Sequence, residues 1–162
     1  MITFDTVRPE VIPGLALRLS QADLVELERR GWRSPADAIR EAVAASSEAF
    51  TASWDGEVRA VFGVAEWRGE TPEGMGRVGM PWMLCAAPPP HVQMTFMRMA
   101  EEVMERWSRT FRTLIACVDA EHTRARRWLV SLGLHPVNEQ QHNGFPVIGF
   151  MRHNPQGDSA NV

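Results

Sequence analysis

The stretch from Val78 to Ala86, VGMPWMLCA, holds no charged residue and constrains the fold more than any other part of the chain. It is far too short to cross a bilayer as a helix. It also lacks the apolar/polar alternation of a strand with one wet face. It is therefore expected as a strand covered on both sides, near the middle of a sheet. Pro81 has no N–H to give to a ladder, and a bulge is expected there. Ala86 to Pro90 should end the strand in a rigid loop. Val92 to Trp107 then sets Phe96, Met99, Val103 and Trp107 on one stripe of a long helix. This Met-rich stripe reads as core.

The flanking sequence supplies the other elements. Ile2 to Val7 alternates apolar and polar residues, as a half-buried strand does, and Arg8-Pro9 breaks it. Leu15, Leu17 and Leu19 fit either a short helix or a turn. Ser20, with Asp23 three residues on, starts a helix in capping-box style, and Gly31 stops it. Ser34-Pro35 starts a second helix that runs to about Ser47. Phe50 to Trp54 and Val58 to Trp67 are strands joined at Asp55-Gly56, a strong hairpin signal. Arg68 to Gly76 reads as an exposed loop. Leu114 to Val118 is a buried strand, His122 to Leu132 a helix closed by Gly133, and His135 to Glu139 and Pro146 to Arg152 the last strands, with a loop at Gln140 to Gly144. The order β-α-α-β-β-β-α-β-α-β-β predicts an α/β (α+β) fold. Its sheet should be mixed and largely antiparallel, with helices on both faces. Residues 1–153 are expected as one domain, and residues 154–162 as a polar tail whose composition predicts disorder.

Composition narrows the function. A formal net charge of −3 disfavours direct nucleic-acid binding. Cys85 and Cys117 lie inside apolar runs and are expected as buried thiols without a disulfide. The N-terminus has no basic start followed by an apolar stretch, and no membrane contact is expected. A cytoplasm, or a particle assembled in one, is the expected location. His135, His142 and His153 do not have metal-ligand spacing, and no metal site is expected.

Two segments carry a resemblance to a known family. Val118 to Leu134, VDAEHTRARRWLVSLGL, resembles a pattern of the GNAT acyl-CoA N-acyltransferase superfamily. That pattern has an Asn, an Ala three residues on, Leu-Tyr and a closing Gly-Phe. Ala125 stands at the Ala, Gly133 at the Gly, His122 at the Asn and Leu129 at the Tyr that often serves as general acid. GMPWMLCA and the long helix after it, together with the WLVSLGL helix and the closing hairpin, resemble GNAT-like podovirus proteins of the virion interior or of virion assembly. The resemblance spans about residues 50–152. It implies a pyrophosphate-binding turn after the fourth strand, where GNAT enzymes place backbone N–H groups at a helix start. Here that place reads Cys85-Ala-Ala-Pro-Pro-Pro-His91, without glycine and with three donors removed.

The expected role is therefore contact with other phage virion proteins, or with copies of itself, and no cofactor. The alternative is an active N-acetyltransferase using acetyl-CoA on a protein or small amine. In that case Met83, Cys85, His91, His122 and Ala125 would bind the cofactor, and Glu66 would act as general base. Each has a plainer reading. Glu66 is then an exposed strand-end carboxylate, His122 a helix-start residue, and Asp119 the cap of that helix. Arg124, Arg126 and Arg127 form a basic run that fits phosphates, or else a solvated or interface face. Trp82 and Trp107 are expected in the core, and Trp67, beside the polar loop, as a surface anchor.

Overall fold

The computed structural model describes residues 1–158. Among them are β1 (Thr3–Thr6), α1 (Ile12–Arg18), α2 (Gln21–Arg29), α3 (Pro35–Ala45), β2 (Ser46–Trp54), β3 (Glu57–Trp67) and β4 (Val78–Cys85). They are followed by α4 (Pro90–Thr110), β5 (Thr113–Asp119), α5 (Thr123–Ser131), β6 (His135–His142) and β7 (Phe145–His153). The strands form one seven-stranded sheet in the order β1-β2-β3-β4-β5-β7-β6. β1–β2, β5–β7 and β6–β7 pair antiparallel, and β4–β5 pair parallel. This is the mixed, mostly antiparallel α/β architecture expected from the order of elements. The Leu15–Leu19 region, open between helix and turn, begins as helix α1.

The chain forms two compact units, Met1–Val64 with Trp82–Phe96, and Ala65–Pro81 with Met97–Val162. In the first, Ile12 and Leu15 of α1, Leu27 of α2, Ala38 and Ile39 of α3 and Val61 of β3 form a buried core. The helices reach it because their apolar residues recur at helical spacing and their starts are fixed. Ser20 Oγ accepts from Asp23 N–H at 3.2 Å, and Ser34 Oγ from Asp37 N–H at 3.3 Å. A second cluster stacks Phe4 on Phe62 and Phe96, and Trp54 on Phe96, edge to face at 4.8 to 5.9 Å. The β2–β3 hairpin turns at Asp55-Gly56 as expected, both with positive φ (54° and 77°), as a primed two-residue turn requires. Trp82 is only half-buried. Its indole N–H donates to Ser46 Oγ at 2.7 Å, so the core position expected for it is a polar-tipped one.

In the second unit, Val78, Met104, Trp107, Phe111, Leu114, Leu134, Val147 and Phe150 are buried. Parallel pairing of β4 with β5 covers only Val78↔Thr113 and Gly79↔Leu114. Pro81, expected at an irregularity, lies beyond the last of these pairs, where its missing N–H costs that ladder nothing. Gly79 is tightly enclosed, since a Cβ there would lie 2.8 Å from the Phe111 ring.

Three expectations are corrected. Cys117, on β5, is exposed and only Cys85 is buried, because β5 is not covered on both faces along its length. Gln140, Gln141 and His142 are not loop. They extend β6, and the turn is Asn143-Gly144 alone, with φ of 50° and 81°. The tail is ordered where it begins. Asn154 N–H donates to Arg112 C=O at 2.7 Å, and its amide to Ser108 C=O at 2.9 Å. The Asp158 carboxylate accepts from the N–H groups of Arg77 (3.1 Å) and Arg112 (3.0 Å). Composition alone predicts disorder there, and these backbone bonds offset the missing apolar burial. Residues 159–162 lie outside the described residues. Among the described residues, no helix is long and apolar enough to cross a membrane.

Candidate functional site

The end of β4 and the start of α4 are the place where the chain's chemistry is most legible. Ser20 N–H donates to Cys85 C=O at 2.9 Å, and the buried Asp23 carboxylate accepts from Cys85 N–H at 2.8 Å. The start of α2 is thus clasped to the last residue of β4. Asp23, in the capping-box position after Ser20, has its N–H on Ser20 Oγ and also carries its carboxylate to a strand 62 residues away.

The following backbone is equally committed. Ala86 N–H donates to Arg59 C=O at 2.7 Å, and the N–H groups of Val92 and Gln93 both go to Pro89 C=O. Pro88, Pro89 and Pro90 have no N–H. Among the described residues, Ala87 and His91 are the remaining amide donors between Cys85 and Gln93. An anion at a helix start needs several convergent N–H groups and a backbone that can approach it closely. This loop has three prolines in place of donors and no glycine. His91 points elsewhere: its Nε2 lies 3.9 Å from Asp55 Oδ1 at the β2–β3 turn, and both side chains are more than half exposed. Met83 sits half-buried on β4. The loop therefore offers few donors for the pyrophosphate of an acyl-CoA.

In the second unit, Glu66 is not an exposed carboxylate. Its side chain is 17% exposed and is held by Arg77, whose Nε donates to Oε1 at 2.7 Å, with Arg68 at 3.6 Å from Oε2. The Arg77 guanidinium lies over the Phe111 ring, 5.0 Å from its centroid. A carboxylate engaged this way has to break an ion pair before it can take a proton from an amine.

His122 and Ala125 are brought together, but by each other. His122 is buried and caps α5, its Nδ1 accepting from Ala125 N–H at 3.3 Å. This helix-start role is the plainer of its two readings. Asp119, expected as the cap, instead accepts from Glu121 N–H at 2.9 Å and shapes the preceding turn. Within the basic run, Arg126 donates to Ala120 C=O at 2.8 Å and Arg124 lies over Trp128 at 5.7 Å. Trp67 is exposed as expected. Its indole donates to Glu70 C=O at 3.3 Å, and its ring packs on Gly69, where a Cβ would come within 2.6 Å. Sequence reasoning missed Ser20, Asp23 and Arg59 as the groups that close the loop. Only the Ser20/Asp23 spacing carried any signal, and it pointed to a local cap.

No family model matches the chain, and no curated protein matches it by sequence. Solved structures do match its fold. The aminoglycoside acetyltransferase AAC(6')-Ib, in complex with coenzyme A and kanamycin, aligns over 100% of both chains, with a TM-score of 0.68 at 13% identity. An acetyltransferase of the GNAT family from Streptococcus agalactiae aligns over 94% of this chain and 95% of its own, with a TM-score of 0.63 at 11% identity. The yncA protein of Salmonella typhimurium, solved with its cofactor acetyl-CoA, aligns over 94% of this chain and 93% of its own, with a TM-score of 0.66 at 9% identity. The chain therefore has the fold of GNAT acetyltransferases.

Proposed function

We propose that this chain is a GNAT-fold protein with a degenerate acyl-CoA site, acting through protein contacts in the structure or assembly of a bacteriophage particle. The observation that carries the reading is the state of the Cys85–Gln93 backbone. Three prolines and four internally bonded amides occupy the place where the fold's enzymes hold pyrophosphate. Leu129 adds to it, because a Leu at the frequent general-acid position has no proton to give. The phage assignment rests on the likeness of GMPWMLCA and WLVSLGL to podovirus proteins, and its partners are other virion proteins. Fold by itself does not decide between activity and contact.

Calorimetric titration with acetyl-CoA tests the first half of the reading. No heat of binding is expected at millimolar ligand, and a micromolar Kd would overturn it. Mass spectrometry of purified particles tests the second half. Stoichiometric presence is expected, and normal particles from a deletion phage would refute a virion role.

One observation favours a second reading, an acetyl-CoA-dependent N-acetyltransferase acting on a protein or small amine. It is the end-to-end alignment with acetyltransferases solved with coenzyme A or acetyl-CoA. On that reading Glu66 serves as base after release from Arg77, and Glu66→Gln should abolish turnover while acetyl-CoA binding persists.

A further inference from the structure

The outer edge of β6 has features that the proposed role does not use. β6 is the last strand of the sheet, and all eight of its residues are exposed. Its N–H and C=O groups divide in a predictable way. His142 and Phe145 flank the two-residue turn at Asn143-Gly144 and are register partners. That closing pair of a two-residue hairpin exchanges both its backbone bonds. His142, Gln140 and Asn138 therefore bond toward β7, while Glu139 and Gln141 present N–H and C=O outward, away from the sheet.

Edge strands are usually blunted by proline, bulges or charge. β6 has such devices in its first half only: Pro136, and a register shift between Pro136 and Asn138. From Asn138 to His142 the edge is regular, has no proline, and bears one carboxylate, Glu139. We propose that this half-edge docks a second copy of the chain, β6 against β6 antiparallel, about a twofold axis at Gln140.

The sequence selects that register. Outward-facing residues must pair with outward-facing residues, so Glu139 can oppose Glu139, Gln141 or Asn143 of the other copy. The first sets two carboxylates face to face, which is destabilising. The third pushes the pairing into the turn, and registers shifted the other way run into the bulge. Glu139 opposite Gln141 remains. There each carboxylate meets an amide donor, Asn138 meets His142, and Gln140 meets its own copy in a pair without backbone bonds. Every outward N–H and C=O of Glu139 and Gln141 is then satisfied in both chains. The pairing closes on itself, as an isologous interface does. It stands whether or not the chain binds acyl-CoA.

Sedimentation velocity on the full chain over a concentration series tests it, and a monomer–dimer equilibrium is expected. Gln141→Arg meets Glu139 twice across the axis and should tighten the dimer about two- to thirtyfold. Gln140→Arg sets two guanidinium groups opposite each other and should weaken it about two- to fivefold. These positions are exposed, so both variants should fold as the parent does. In a Cys117→Ser background, Gln140→Cys should form a disulfide-linked dimer under oxidised glutathione, because Cα atoms of a pair without backbone bonds lie about 4.5 Å apart. A chain that stays monomeric throughout the series would overturn the proposal, as would equal shifts in the two arginine variants. Crosslinking at Val137→Cys as fast as at Gln140→Cys would overturn the register.

Discussion

Replacing Asp23 with Ala removes one half of the clasp between α2 and β4. Asp23 is buried, and its carboxylate takes the Cys85 N–H at 2.8 Å. Alanine leaves that N–H without an acceptor inside the protein. A hydrogen bond to a charged group contributes about 1.5–3 kcal/mol, and a stranded buried donor costs about 1–3 kcal/mol. These are two views of one loss, so the expected destabilisation is about 2–3 kcal/mol. For a chain of this size that lowers Tm by about 4–12 °C. Asp23→Asn keeps an acceptor oxygen and loses only the charge, and should cost about 1 kcal/mol. Asp37 is the internal control. It occupies the same place relative to Ser34 that Asp23 occupies relative to Ser20, but its side chain is 64% exposed and paired with Arg40. Asp37→Ala should therefore cost only about 0.5 kcal/mol. Urea denaturation of the three variants beside the parent gives the comparison directly. If Asp23→Ala and Asp37→Ala cost the same, Asp23 is only a helix-start acid and the clasp is not a source of stability.

Gly157→Ala should undock the tail, because its Cβ would lie 2.5 Å from Arg112 Cα and 3.0 Å from Ser108 C=O. Hydrogen exchange at the Arg77 and Arg112 amides should speed up, with a stability loss of about 1–3 kcal/mol. Gly144→Ala tests backbone strain in isolation. Nothing lies within 4 Å of an added Cβ, yet φ is +81°, so a loss of about 1 kcal/mol in urea denaturation is expected from conformation alone. Thiol titration should label Cys117 in the native protein and Cys85 only in denaturant, and equal rates would contradict their placement.

The pattern of elements was legible because it depends on local rules. The uncharged run Val78–Ala86 became β4, Asp55-Gly56 made its turn, and Ser20 and Ser34 capped their helices. Asn143-Gly144 carried the same turn signal as Asp55-Gly56. It was overshadowed by the polarity of Gln140 to His142, which reads as loop only if strands must bury a face. Cys117 failed for the opposite reason, since an apolar neighbourhood in sequence does not ensure cover on both faces of a strand.

The sequence by itself determined the fold class, the glycine-free loop with its three prolines, and the absence of a Tyr near the end of α5. All three follow from residue type. The tertiary structure decided which polar groups were already committed. Asp23 reaches Cys85 across 62 residues, Arg59 supplies the acceptor for Ala86, His122 takes the Ala125 N–H, and Arg77 holds Glu66. A hydrogen bond forms only between groups a few ångströms apart, and most of those distances are set by the packing of elements remote in sequence. For that reason the chain reads from its sequence as a protein with an altered cofactor loop, and from its structure as one whose loop amides are mostly bonded within the fold.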